Sequence, residues 1–434
     1  MFLERLTLKN YRCFENTEIR FSERMSVIVG DNGSGKTAIL EAAAIAAGTL
    51  VQPIDEVRSR NIDKRDATIK SFEIGSVPGG EAQFPVEVSA SGRPDYERIE
   101  WSRSLNSSEG KTTIIDARAM IALGKRMLEG IRSNEKTLIL PIVAYYGTGR
   151  LWDYHREKRT DVFKNNSRIN GYTDSLDGTA NLKLMMNWFK KMTMQRYQNQ
   201  EEGRGGIPEF DTVCRVIEMY YSQVTGYRNV SVRYNLNSNE IDFYYDEDEK
   251  HRLRMPLSQM SDGYKGTVSL IADIAYRMSL LNPGLLENTI SETPGIVLID
   301  EIDLHLHPAW QERILDDLLK IFPEVQFIVT THSPIVINSI RSENLILLRN
   351  KVPVEAGTEV FGKDANTIIR SIMQTNERPK SVLNQFDEFY SALDEGKINT
   401  AREILRDIVN EIGIDDPEVA ACEVQLSLEE VGDS

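Results

Sequence analysis

Histidine and cysteine are scarce in this chain, five and three among 434 residues, and the scarcity excludes several chemistries. Cys13, Cys214 and Cys422 stand far apart with no CxxC spacing, which argues against a disulfide frame or zinc knuckle and for a reducing cytoplasmic setting. No apolar run approaches the roughly 18 residues of a bilayer crossing. TLILPIVA (137–144) reads as a buried strand at most, so no membrane role is expected. The opening MFLERLTLKNYRCF mixes acid and base into its apolar stretch, unlike a secretory leader. Low-complexity tracts and sustained heptads are missing as well. His305 and His307 come with no further ligand pair, so they read as loop residues rather than a metal centre.

Basic charge is also in short supply. The net charge is −15, but it is unevenly placed. Residues 351–434 carry 18 acidic side chains against 8 basic ones, whereas residues 148–204 carry 11 basic against 7 acidic. An acidic protein repels a polyphosphate unless a local patch overrides the global field. Segment 148–204, with Lys158, Arg159, Lys190 and Lys191, is therefore the candidate surface for DNA or RNA. The acidic tail is the candidate surface for a protein.

What is present begins with GDNGSGKT, Gly30 to Thr37. It fits G-x-x-x-x-G-K-[ST] without mismatch, after the buried strand MSVIV and before the helix KTAILEAAAIAAG. Glycines let successive N–H groups curl round an anion, and the helix N-terminus adds its positive end. Lys36 supplies a charge near the β/γ-phosphates, and the Thr37 hydroxyl reaches Mg²⁺. GIVLIDEID (295–303) describes a central strand delivering Asp300 to the same cation, with Glu301 turned toward general-base work on a water. FIVTTHSP (327–334) is a parallel neighbour that brings His332 to the same carboxyl edge, to sense or stabilise the γ-phosphate.

MSDGYKG (260–266) opens the apolar-periodic helix Val268, Leu270, Ile271, Ile274, Ala275, Met278 on a soft polar turn. Ser261 and Gly263 make a second phosphate-seeking helix end. One P-loop already encloses one side of a triphosphate, so the economical arrangement is a dimer in which this turn caps the nucleotide of the other copy.

The chain divides in sequence into an N-terminal lobe with the P-loop (1–149), an inserted helical lid (150–224), a C-terminal lobe (225–350) and a helical partner-docking region (351–434). Residues 70–115 read as an antiparallel sheet beside the P-loop strand, and strands 228–236 and 239–246 as returning to the main sheet. A single helix is expected over 308–321. In the tail, Asp416 is expected to cap a helix with Pro417 at its first position.

Gly30–Thr37, Ser261–Gly263, Asp300–Glu301 and His332 lie in the order and spacing of ABC-type ATPase heads. The chain resembles the branch containing RecF, SMC and overcoming-lysogenization-defect proteins. The resemblance implies an α/β fold: an ABC-type P-loop head with a mixed sheet, flanking helices and an antiparallel subdomain. The inserted helical lid and the α-helical C-terminal region are additions to that head. It implies ATP held by Gly30, Asp31, Asn32, Gly33, Ser34, Gly35, Lys36 and Thr37, and Mg²⁺ held by Thr37 and Asp300. Glu301, His332 and Lys36 become the catalytic residues, Ser261 and Gly263 the signature turn of a composite dimer site, and Arg12 of NYRCFE a group that approaches the nucleotide. AYYGTGR (144–150) stands where the family carries its Q-loop, but without the glutamine.

AYYGTGRLW, MSDGYKG, IDEIDLHLHPAWQ, VQFIVTTHSP and the helical tail together resemble the ATPase subunit of Septu-type anti-phage systems, also found beside some retrons. That likeness implies a separate HNH nuclease as partner. Only 225 residues separate Lys36 from Ser261, too few and too aperiodic for the long SMC coiled coil. About 100 residues follow His332, the wrong pattern for a fused nuclease domain. A RecF-like repair ATPase without nuclease, and an ATP-gated scaffold with little turnover, are the alternatives from other classes.

Overall fold

The computed structural model describes all residues except 55–56, 75–76, 96, 152–166, 179–181, 248–250, 356 and 433–434. The chain opens with the hairpin β1 (Phe2–Tyr11) and β2 (Phe14–Arg20), then β3 (Met25–Gly30) and α1 (Lys36–Gly48). Strands β4 (Ile69–Ile74), β5 (Val77–Ala82), β6 (Val86–Arg93) and β7 (Ile99–Leu105) lead to α2 (Arg118–Arg132) and β8 (Ile142–Tyr146). Helices α3 (Leu182–Glu201) and α4 (Pro208–Thr225) precede β9 (Arg228–Asn235), β10 (Glu240–Asp246) and β11 (Arg252–Pro256). Next come α5 (Asp262–Leu281), α6 (Thr289–Glu292), β12 (Gly295–Ile299), α7 (Pro308–Gln311) and α8 (Ile314–Ile321). The head finishes with β13 (Val325–Thr330), α9 (Pro334–Asn338), β14 (Leu345–Arg349) and β15 (Val352–Val354).

The six-stranded central sheet has the order β15-β14-β3-β13-β12-β8. All its pairings are parallel except the edge pair β14–β15. Every residue of β8, β12 and β13 is buried, which is what continuous runs such as IVAYY and GIVLI dictate for strands covered on both faces. Parallel strands carry their carboxyl ends to one edge, so β3, β12 and β13 end side by side.

A second, antiparallel sheet of order β2-β1-β6-β7 packs across α1. That helix is buried nearly all round, and its alanines Ala42, Ala44, Ala46 and Ala47 are fully covered. Small side chains let both sheets come close, and the Trp101 indole donates to Ala46 O at 3.0 Å. Here the structure departs from the expectation for 70–115. Both edges of β3 are taken by β13 and β14, so β6 and β7 join β1 and β2 instead, and β4–β5 stand as a separate ribbon.

Strands β9 and β10 likewise do not return to the central sheet. They form their own three-stranded sheet with β11, backed by α4. The single helix expected over 308–321 is two, α7 and α8. A turn at Glu312 and Arg313 divides them, and Arg313 stands at the N-cap of α8, where its guanidinium pairs with Asp317 at 2.9 Å and reaches Gln223 O at 3.1 Å. Within 150–224, α3 and α4 bury Trp188, Phe189 and Phe210 in one aromatic cluster with Tyr276 of α5. None of the helices among the described residues is long and apolar enough to cross a membrane.

Contacts group the chain into two compact units, Met1–Lys363 and Asp364–Ser434. Residues 352–354 belong to the central sheet as β15, so the helical tail begins as a compact unit at Asp364. It contains α10 (Ala365–Ser371), α11 (Lys380–Asp394), α12 (Ile398–Ile412) and α13 (Pro417–Gly432). Phe386, Phe389, Leu405, Ile408, Val419, Cys422 and Leu426 form its core. Asp416 caps α13 as its sequence predicts, accepting from Glu418 N at 2.9 Å. Arg378 grips the same carboxylate through both terminal nitrogens and holds it below the usual carboxylate range. Phe389 is fully buried there. We expect Phe389→Ala to cost the tail about 3–5 kcal/mol in urea melts while leaving nucleotide affinity of the intact chain unchanged.

Candidate nucleotide site

Residues 30–37 leave the end of β3 and curl into α1. Gly33 (φ 78°) and Gly35 (φ 102°) are left-handed, a conformation that glycine adopts at no steric cost. At Gly35 a Cβ would collide with the Phe14 ring and come within 2.7 Å of Cys13 Sγ. At Gly30 it would come within 2.7 Å of Leu348 O. The cradle is thus walled by β14 and by the tip of the β1–β2 hairpin. Ser34 N donates to Asp31 O at 3.1 Å, closing the turn, while the buried Ser34 Oγ has no partner among the described residues. Asp31, Asn32 and Gly33 form the exposed lip.

Lys36 is buried and ties the loop's ends together, donating to Gly30 O at 2.7 Å and Asp31 O at 3.0 Å. Burial lowers its pKa, against the opposing pull of Asp300, Glu301, Asp31 and Asp303. Asp300 follows β12 and is 2% exposed. Its Oδ2 accepts from Thr37 Oγ1 at 2.8 Å and its Oδ1 from Thr330 Oγ1 at 2.6 Å. Thr330 in turn accepts from Glu301 N at 2.7 Å. Glu301 sits at φ 48°, a left-handed geometry that costs a non-glycine residue about 1–3 kcal/mol.

Asp300 and Thr37 together present two hard oxygen donors and no soft ones, and no group of three His, Cys, Asp or Glu capable of holding a metal occurs among the described residues. This fits a Mg²⁺ whose remaining positions are filled by phosphate and water. His332 is half-buried between two anchored neighbours. Thr331 Oγ1 donates to Asp303 at 2.6 Å, and Ser333 donates to Gln311 Oε1 at 2.6 Å while capping α9.

Ser261 and Gly263 lie elsewhere on the head. No hydrogen bond or ion pair joins them to residues 30–37 among the described residues. Ser261 is exposed at the N-cap of the 20-residue α5, and its hydroxyl makes no capping bond. Gly263 is required by a close approach: a Cβ would come within 2.6 Å of His305 O and 3.2 Å of Trp310. The Tyr264 and Trp310 ring centres lie 4.2 Å apart, so the turn rests on the loop that follows Glu301 and on α7 after it.

Arg12 sits at the β1–β2 tip with φ 52°. Its guanidinium is engaged by Asp66 at 2.8 Å and by Glu41. Burial opposes its charge, but Tyr11, Asp66 and Glu41 outweigh that and hold the charge firmly. The hairpin therefore meets the P-loop through Cys13 and Phe14, not through this guanidinium.

In 144–150, Tyr145 packs under Arg60, whose guanidinium lies 5.1 Å from its ring, and Tyr146 is buried. In 148–204, Lys158 and Arg159 lie outside the described residues. Lys190 donates to Asn239, Arg196 pairs with Asp211, Arg204 pairs with Glu202, and Arg168 donates to the Leu281 and Leu138 carbonyls. Thr330, Cys13 and Phe14 escaped sequence reasoning. The doubled threonine before His332 was the one available signal.

A phosphate cradle, a cation-suited carboxylate and an acid beside it, on the carboxyl edge of a parallel sheet, define a P-loop nucleotide hydrolase; the chain is an ATPase. A family profile described as "AAA domain, putative AbiEii toxin, Type IV TA system" matches residues 25–338, and the chain belongs to that family. It is 28% identical to the "Retron Ec83 probable ATPase" of Escherichia coli, across 86% of this chain and 76% of that protein. It is 26% identical to the "Septu protein PtuA" of Bacillus mycoides, across 83% of this chain and 44% of that longer protein. Among solved structures, an SMC head bound to the C-winged helix domain of ScpA is 17% identical, covering 81% of this chain and 97% of that one at a TM-score of 0.47.

Gly35→Ala is expected to weaken nucleotide binding at least about tenfold, because a left-handed alanine costs roughly 1–2 kcal/mol before any overlap with Phe14 is relieved. Titration with a fluorescent ATP analogue measures it.

Proposed function

We propose that this ATPase acts as a nucleotide-sandwich dimer in anti-phage defence and regulates a separate HNH nuclease. The observation that supports the dimer most is Ser261. A serine at the head of a long helix that leaves its capping position unused keeps a hydroxyl and free N–H groups for a ligand. That ligand is the triphosphate held by a second copy's P-loop. Likeness to Septu and retron ATPases supports the defence setting and the nuclease partner.

In the proposed mechanism, Lys36 leaves Gly30 O and Asp31 O for the phosphates, and the amides of 31–36 enclose the β-phosphate. Thr37 and Asp300 hold Mg²⁺, which neutralises charge on the transferred phosphoryl group when bound. Glu301 polarises the attacking water, while His332 steadies the γ-phosphate from the next strand. Thr330 keeps Asp300 and the Glu301 backbone in register throughout.

The acidic tail is the proposed nuclease dock. Val424 and Leu428, one turn apart on α13, are 60% and 66% exposed, an apolar step within an acidic surface. The basic segment 148–204 is the proposed surface for DNA or RNA; Arg156, Lys158, Arg159 and Lys164 lie outside the described residues, while Arg168, Arg196 and Arg204 are engaged within the chain.

Glu301→Gln is expected to lower turnover roughly 100-fold or more and to trap dimers with ATP in analytical ultracentrifugation. A mutant that stays monomeric at saturating ATP overturns the sandwich. Removing residues 364–434 is expected to abolish co-purification with the neighbouring nuclease and to spare ATP binding; retained nuclease would move the dock elsewhere.

A further inference from the structure

The missing Q-loop glutamine leaves a mechanical question: what couples the nucleotide edge to the helix carrying Ser261? Tyr146 is the last residue of β8, and its backbone carbonyl accepts from Asp300 N at 2.8 Å. Its hydroxyl donates to Asp273 Oδ2, inside α5, at 2.7 Å. The same oxygen takes Arg277 Nε at 2.7 Å. Arg277 then donates to Gly171 O at 3.0 Å and Thr173 O at 2.8 Å. Tyr146, Asp273 and Arg277 are 2%, 1% and 1% exposed. A bonded path therefore runs from Thr37 through Asp300 and Tyr146 into the signature helix.

Packing alone does not call for this arrangement. An ion pair taken out of water loses most of its Coulombic gain to desolvation, and apolar side chains of equal volume usually stabilise as well or better. What such a pair does supply is register: its geometry fails if α5 slides or rotates against β8. Burial and Asp273 both push the Tyr146 hydroxyl's pKa up, and Asp273 keeps Arg277 charged despite its burial. Ser261 stands 12 residues before Asp273 on the same helix, about 18 Å along its axis. A small tilt of the helix axis about Asp273 is thus magnified at the turn that carries Ser261.

We infer that Tyr146 is a positioning residue: it sets the signature helix against the Asp300 strand and transmits the state of the P-loop edge to Ser261. This rests on the sandwich reading of Ser261, and the test separates the two. Tyr146→Phe deletes one hydroxyl and keeps the ring.

The expected result is an unchanged Kd for a fluorescent ATP analogue, a fall in kcat of about 10- to 100-fold, the worth of one hydrogen bond to a charged group, and a higher ATP concentration needed for dimerisation in the Glu301→Gln background. If Glu301→Gln alone fails to dimerise, the sandwich falls. If it dimerises and Tyr146→Phe alters neither kcat nor the ATP dependence, the positioning role falls. Should Tyr146→Phe lower the melting temperature, a double-mutant cycle with Ser261→Ala on kcat decides. Non-additive losses support coupling, and additive losses overturn it.

Discussion

Both oxygens of Asp300 are occupied by hydroxyls, Thr37 from the P-loop helix and Thr330 from the neighbouring strand. A carboxylate with 2% exposure is tolerable only when donors replace its water. Those donors come from two elements, the P-loop helix α1 and the strand β13, on either side of the acid that follows β12. Register in the central sheet must therefore be correct to within one residue, since a slip of one turns the whole set of side chains to the opposite face. The pairing of Ile299 with Val329 puts Asp300 beside Thr330, and His332 two residues further along the same edge.

The cradle depends on a second constraint, from above. Helix α1 is pinned between two sheets because its alanines allow it, and the β1–β2 tip is thereby pressed onto Gly35. Arg12, Asp66, Glu41 and Arg60 brace that tip with alternating charge. The loop can then keep its left-handed glycines and its orphaned Ser34 hydroxyl ready for an anion without collapsing.

Helix α5 is anchored at two places. At its head, Gly263 and Tyr264 rest on His305, in the loop that leaves Glu301, and on Trp310 of α7. In its middle, Asp273 meets Tyr146 of β8, the strand next to Asp300, while Arg277 braces Asp273 from within the helix. Two separate contacts thus tie one helix to the segment around Asp300 and Glu301, an arrangement that suits the proposed site completed by another copy.

Local chemistry made much of this legible. GDNGSGKT dictates its cradle because glycine geometry and helix-end dipoles act over a few residues, and LID followed by E reads as a buried strand ending in acids. Asp416 before Pro417 likewise declares a cap. Other features depended on partners distant in the chain. Which edges of β3 were free, whether β9 and β10 would return to the central sheet, and where the Arg12 guanidinium would go were decided by competition among strands and charges far apart in sequence. The path from Tyr146 to Asp273 spans 127 residues, and no periodicity records it. Sequence determined the chemistry of each group at the candidate nucleotide edge, because that chemistry is local. Tertiary structure decided which groups share hydrogen bonds, because burial obliges each polar atom to find its partner wherever the fold provides one.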